Sequence, residues 1–233
     1  MWPLLTVPLM YVSMILLLRA EERTPRDVQS VKIIKPLCTL LVILTCALSF
    51  SRPAAAFDPR YTVLILIGLT FSLAGDILLI PYDNPKAFLA GLVAFLMAHV
   101  AYIIAFIYLQ FGILDEINVA GELVTAIVLL IIGANVYRYL APGLGDMRMP
   151  VIAYIIVISF MVFCAVGIAL VHPGPAMQPA LIATGASLFY VSDAILAANK
   201  FRMGGNMPHY KVWNLSAYYS GQLLIALSAS FFP

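Results

Sequence analysis

Long apolar runs, broken by short polar stretches, dominate this chain. A helix that crosses a membrane needs about 20 mostly apolar residues. Eight stretches fit that pattern: Trp2–Leu18, Ile33–Phe50, Tyr61–Ile80, Ala87–Leu109, Ala120–Leu140, Pro150–Val171, Gln178–Asn199 and Val212–Phe232. The pattern predicts an all-α, polytopic membrane protein of eight transmembrane helices forming a single domain over residues 1–233. The first stretch has no basic region before it and positive charges after it, so it reads as a helix of the bundle and not a cleaved signal peptide. The longest polar connection follows that first span, and no connection is long enough to house a separate domain.

Composition narrows the picture in the same direction. Hydrophobic residues make up 63% of the 233 and charged residues 10%, against about 25% charged in soluble domains. The mean hydropathy is +1.01. A water-soluble single-domain enzyme and a disordered chain are both excluded. The net charge of +2 gives no footprint for nucleic acid. Cys38, Cys46 and Cys164 all lie in apolar runs without a CxxC pair, which points away from a disulfide framework or a thiolate metal site.

The distribution of charge sets an expected orientation, because lysine and arginine are retained on the cytoplasmic side. Connections 1–2, 3–4, 5–6 and 7–8 carry Arg19, Arg23, Arg26, Lys32, Lys35, Lys86, Arg138, Arg148, Lys200, Arg202 and Lys211. The opposite side carries Arg52 and Arg60. Eleven against two predicts a cytoplasmic face for the first set and non-cytoplasmic termini. The short loops favour a bacterial inner membrane.

Nine of the eleven acidic residues fall in loops or near helix ends, and two lie well inside spans: Asp76 in LTFSLAGDILLI and Asp193 in SLFYVSDAILAA. A carboxylate at the middle of a spanning helix costs about 2.5–3.5 kcal/mol on insertion scales, so it ordinarily faces the bundle interior and serves a function. Each lies four to six residues before the cytoplasmic end of its span, about 6–9 Å deep at 1.5 Å per residue. Their spacing of 117 residues recurs between Tyr102 and Tyr219. That repeat suggests two parallel four-helix halves, 1–118 and 119–233, with the acids across a pseudo-twofold cleft.

Other polar residues are expected in the same leaflet. They are Lys35 opening the second helix, Tyr154 early in the sixth, Asn214, Tyr218, Tyr219 and Gln222 in the eighth, and His99 nearer the bilayer centre in the fourth. Each has an ordinary structural explanation: a snorkelling lysine, a packed histidine, interfacial tyrosines. His172 falls in an outer loop and His209 in an inner one. The sequence has no G-x-S-x-G elbow, no H-E-x-x-H and no phosphate-binding glycine loop. Neither a metal nor an organic cofactor is implied. The chemistry left is acid–base work by a carboxylate pair, one acid kept protonated and the other ionised.

Lys35-Pro36, FSLAGD at Phe71–Asp76, HVAY at His99–Tyr102, Tyr154, YVSD at Tyr190–Asp193 and YYSGQLLIALS at Tyr218–Ser228 follow one another on separate spans. In that order and spacing, the chain resembles the YhhN-type lysoplasmalogenase family of eight-helix membrane proteins. The resemblance implies hydrolysis of the vinyl ether bond of a lysoplasmalogen, releasing a fatty aldehyde and glycerophosphoethanolamine or glycerophosphocholine. Asp76 and Asp193 would be catalytic. Lys35, Tyr154, Tyr219, Gln222, His99 and Asn214 would bind the lysophospholipid, with membrane lipids as surroundings and any protein partner left open. Two other readings use the same acids. An intramembrane aspartyl protease shares the two aspartates and a Pro179-Ala180-Leu181 motif, though here it precedes the second Asp. A small-molecule or lipid transporter would also use paired carboxylates in repeated halves.

Overall fold

The computed structural model describes residues 2–53, 58–82, 84–111, 118–171 and 177–231. His172 and Phe232, the latter closing the last predicted span, lie outside them. The described residues form eight α-helices and no strand. These are α1 (Thr6–Glu22), α2 (Val28–Ala47), α3 (Pro59–Leu78), α4 (Pro85–Phe111), α5 (Val119–Leu140), α6 (Arg148–Val171), α7 (Met177–Ala197) and α8 (Tyr210–Ser228). Single 3₁₀ turns lead into α1 and follow α2, and a π turn at Ala198–Arg202 follows α7.

Every predicted stretch overlaps one helix, and the ends move for local reasons. α2 starts five residues earlier than expected because the Asp27 side chain caps it, accepting from the Ser30 amide at 3.1 Å. Lys35 therefore does not open this helix. It sits two turns inside it and is nearly buried. Asp58 caps α3 by accepting from the amides of Arg60 and Tyr61 at 2.8 and 3.0 Å, with Pro59 in the first turn where its missing N–H costs nothing. Asn118 caps α5 through the Gly121 amide at 3.0 Å.

Six helices, α2 to α7, are long and apolar enough to cross a membrane. α1 has 17 residues, and α8 carries Asn214, Ser216, Ser220 and Gln222 among its 19. Large apolar side chains point outward along the spans, among them Ile33 at 70% and Leu130 at 72% exposure. Such a surface suits lipid and would be a liability in water. The chain is an integral, multi-pass membrane protein.

Between helices in lipid there is little hydrophobic driving force, so close packing and interhelical hydrogen bonds hold the bundle. The most extensive contacts are α7 with α8 and α3 with α4. At the first, a Cβ on Gly185 would come within 2.8 Å of the Gly221 carbonyl oxygen, and one on Gly221 equally close to that of Gly185. Only glycine permits those two backbones to meet. At the second, the Tyr102 ring fills the place a side chain at Gly68 would take. α8 also packs on α2, α1 and α3, which makes it the central helix, whereas α5 leans chiefly on α6 and buries only Gly133 and Leu140. The core behind the site is aromatic, with Tyr61, Tyr102, Phe106, Phe189 and Tyr219 all fully buried.

Candidate active site

Asp76 ends two residues before the close of α3, and Asp193 four before the close of α7. Both helices run to the same end of the bundle, the end that carries most of the basic residues. There the two carboxylates line one cleft, together with Glu21, Lys35, Tyr82, Tyr210, Lys211, Asn214 and Tyr218. Glu21 near the end of α1, Leu79 just past α3 and the first turns of α8 contribute to its wall.

The two acids have different surroundings. Asp76 is almost wholly buried, at 1% exposure. Its Oδ2 accepts from the Thr39 hydroxyl and from the Tyr218 hydroxyl, the latter at 2.7 Å, and the Lys35 ammonium stands 3.4 Å from Oδ1. Lys35 and Thr39 are four residues apart on α2, so one helical face delivers both. Asp193 is less enclosed. Its Oδ2 accepts from the Tyr154 hydroxyl at 2.5 Å, Ser192 Oγ lies 3.3 Å from Oδ1, and His99 Nε2 lies 3.6 Å from Oδ2. No lysine or arginine is paired with it among the described residues. The His99 ring is held edge-on to Tyr154 and against Phe189, with centroids at 5.3 and 4.7 Å.

Asp193 and Leu196 also border a second pocket, open in part at the surface. Its remaining lining is nearly all apolar, with Leu92, Val136, Leu140, Val151, Ile155 and Ile158 among it. Asp193 thus stands where a polar cleft meets a greasy one.

The remaining expected site residues fall into two groups. Asn214 lines the cleft, but its amide donates to the Ser192 carbonyl at 2.8 Å, fixing α8 to α7 one residue before Asp193. The Tyr219 hydroxyl donates to the Lys35 carbonyl at 3.1 Å, fixing α8 to α2 behind the lysine. Tyr219 and Gln222 do not line the cleft, and the buried Gln222 amide makes no hydrogen bond among the described residues. Pro179-Ala180-Leu181 lies at the opposite end of α7 from Asp193, about 20 Å away along the helix.

Some residues of the site were absent from the expected set. Thr39, which donates to Asp76 without lining the cleft, was foreseeable from its i, i+4 relation to Lys35. Lys211 shares one face of α8 with the expected Asn214 and Tyr218, at an i, i+3, i+7 spacing. Glu21 gave no signal, since it reads as an ordinary charge at the end of a span. In the structure it is buried, with the Arg26 guanidinium bidentate on its two oxygens at 2.7 Å each and Lys211 Nζ 3.0 Å from Oε2.

Residues 31–229 match the YhhN family. This stretch contains Lys35, Asp76, His99, Tyr154, Asp193 and Asn214, and leaves out Glu21 and Arg26. The chain belongs to the YhhN family. It is 32% identical over 203 residues to Lysoplasmalogenase TMEM86A of Bos taurus, covering 85% of this chain and 76% of that protein. It is 35% identical over 171 residues to Lysoplasmalogenase TMEM86B of Homo sapiens, covering 72% and 64%. Against TMEM86B of Rattus norvegicus the figures are 31% over 219 residues, with 93% and 79% covered. No solved structure matches this YhhN-family chain.

Proposed function

We propose that this YhhN-family protein is a lysoplasmalogenase, an enzyme that cleaves the vinyl ether bond of a lysoplasmalogen into a fatty aldehyde and a glycerophospho-alcohol. Three relatives that carry that name support the reading. The observation that carries it is the position of Asp193, which shares one polar cleft with Asp76 and borders an apolar cavity on its other side. A single-chain lipid has this same division, with a polar headgroup on one side of the labile bond and a hydrocarbon chain on the other. The apolar cavity takes the alkenyl chain.

The surroundings of the two acids support a division of roles. Asp76, with Lys35 and two hydroxyl donors, is the carboxylate of the pair, and Asp193, with no cation beside it, is the acid. Asp193 gives its proton to the alkene carbon remote from the ether oxygen, which leaves an oxocarbenium-like centre at the carbon bonded to oxygen. Asp76 takes a proton from water as that water's oxygen bonds to this centre. The resulting hemiacetal collapses when Asp76 returns the proton to the glycerol oxygen and the hydroxyl proton goes to Asp193. Aldehyde and alcohol leave, and both acids are restored. The Asp76 carboxylate, in place before the reaction, also stabilises the positive centre.

The same reading takes all eight helices as spans, with the cleft opening to the cytoplasmic leaflet and both termini on the opposite side. The excess of basic residues at the cleft end supports it. A two-half origin is supported by the partners of the acids. Asp76 on α3 meets α2 and α8, and Asp193 on α7 meets α6 and α4, which are the equivalents four helices along.

The test is aldehyde release from a lysoplasmalogen by purified protein in detergent. Wild type is expected to release aldehyde, and Asp76→Asn and Asp193→Asn each to lose about 10²-fold or more, the scale of general acid–base help. A folded Asn variant with near-wild-type release would refute the paired mechanism.

A further inference from the structure

The mouth of the cleft holds a cation that the proposed chemistry does not use. Lys211 opens α8, lines the same cleft as Asp76 and Asp193, and keeps 27% of its side chain exposed. Its carboxylate partner is already committed. Arg26 takes both oxygens of Glu21 at 2.7 Å and is anchored further by donating to the Ile80 carbonyl at 3.0 Å. Two cations therefore share one buried anion, and the trio carries a net positive charge. Lys35 is different, because it faces the Asp76 carboxylate. Beside Lys211, the α8 N-terminus has no side-chain cap, and its first residues, Tyr210 and Lys211, form part of the cleft wall. Helix N-termini favour anions through their unsatisfied N–H groups and dipole. The Lys211 ammonium is steadied laterally by the faces of Tyr210 and Tyr82, with centroids at 5.2 and 5.8 Å.

We propose that Lys211 and the first turn of α8 form the subsite for the phosphodiester of the lysophospholipid, with Glu21 and Arg26 as the positioning residues that hold Lys211 there. The proposal rests on the reading of the cleft as a lysophospholipid site. The sn-3 phosphodiester is the one full negative charge of the substrate, and three glycerol carbons separate it from the ether oxygen. With the chain in the apolar cavity and the ether between the acids, it comes to the mouth of the cleft.

Wild type, Lys211→Met and Lys211→Arg are compared in detergent on a lysoplasmalogen and on 1-alkenylglycerol, which lacks the phosphodiester. The preference for the lysoplasmalogen, as a ratio of kcat/KM, is expected to fall about tenfold or more in Lys211→Met, chiefly through KM, and to return in Lys211→Arg. Equal loss on both substrates would show a structural role and overturn the proposal, and so would an unchanged ratio. A thermal-shift arm needs no turnover. Lysophosphatidylethanolamine should stabilise wild type more than monoacylglycerol does, and Lys211→Met should erase that difference. Inorganic phosphate serves as a third probe: if it alone stabilises wild type in a Lys211-dependent way, while the two lipids do not differ, the site is one for free phosphate and the headgroup assignment fails. Absence of aldehyde from wild type would sink the hydrolase reading, and the thermal-shift arm would still decide the subsite.

Discussion

At Asp193 the shortest hydrogen bond comes from Tyr154, beside a longer one from Ser192, whereas Thr39, Tyr218 and Lys35 together surround Asp76. Hydrogen bonds to charged or reacting groups are worth about 1.5–3 kcal/mol, against about 1 kcal/mol for neutral pairs. Tyr154→Phe keeps the ring against His99 and removes only the donor. It is expected to lower kcat about tenfold, leave KM within about twofold and lower the thermal midpoint by a few degrees, roughly 2–4 °C per kcal/mol lost. A wild-type kcat in a folded Tyr154→Phe protein would show that Asp193 needs no hydroxyl. The sequence displays the two aspartates plainly, because a carboxylate in an apolar run has a high insertion cost. It does not display their different surroundings. The Tyr218 hydroxyl reaches Asp76 across 142 positions, and no local pattern encodes that approach.

At the scale of the helix, caps and periodic faces place the site. Asp58 closes the N-terminus of α3 and also accepts from the Tyr108 hydroxyl of α4 at 3.0 Å. Asp76 lies 18 residues further on, about 27 Å along the axis. Asp58→Ala should therefore cost about 1–2 kcal/mol of stability and leave kcat intact, a split readable from a denaturation midpoint beside an aldehyde assay. A fall in kcat without a fall in stability would contradict this division of labour. Helix faces were legible where two polar residues share one, as Lys35 and Thr39 do. They were not legible where a residue looked like a span end. Glu21 and Lys211 are in that class, because hydropathy treats charges at helix ends as solvated and the structure folds these two inward.

Across the whole molecule, the α7–α8 crossing fixes how far apart the two halves of the cleft stand. Asp193 lies eight residues after Gly185 on α7, and Tyr218 lies three before Gly221 on α8. Gly185→Leu would push a branched side chain into the Gly221 carbonyl. Overpacking of this kind ordinarily costs about 1–3 kcal/mol, and here it should separate both helices and abolish activity even in protein that still folds. Leu130→Ala, on the outward face of α5, is the matching control and should change neither stability nor turnover. Purified yield and aldehyde release measure both, and a fully active Gly185→Leu protein would show that the crossing is not rigid.

The amino-acid order alone determined that the chain is helical, that it lives in a bilayer, where its basic residues gather and that two acids lie at one depth. Each of these follows from a local cost: the transfer of a side chain into hydrocarbon, or the repeat of a helical turn. The tertiary structure alone decided which groups meet. It brought Tyr218 and Lys35 to Asp76, left Asp193 open to a greasy cavity, and gave Lys211 a carboxylate already taken by Arg26. In lipid, helices associate through close fit and scattered polar contacts. Those contacts join residues far apart in the chain, and their geometry exists only once the bundle has packed.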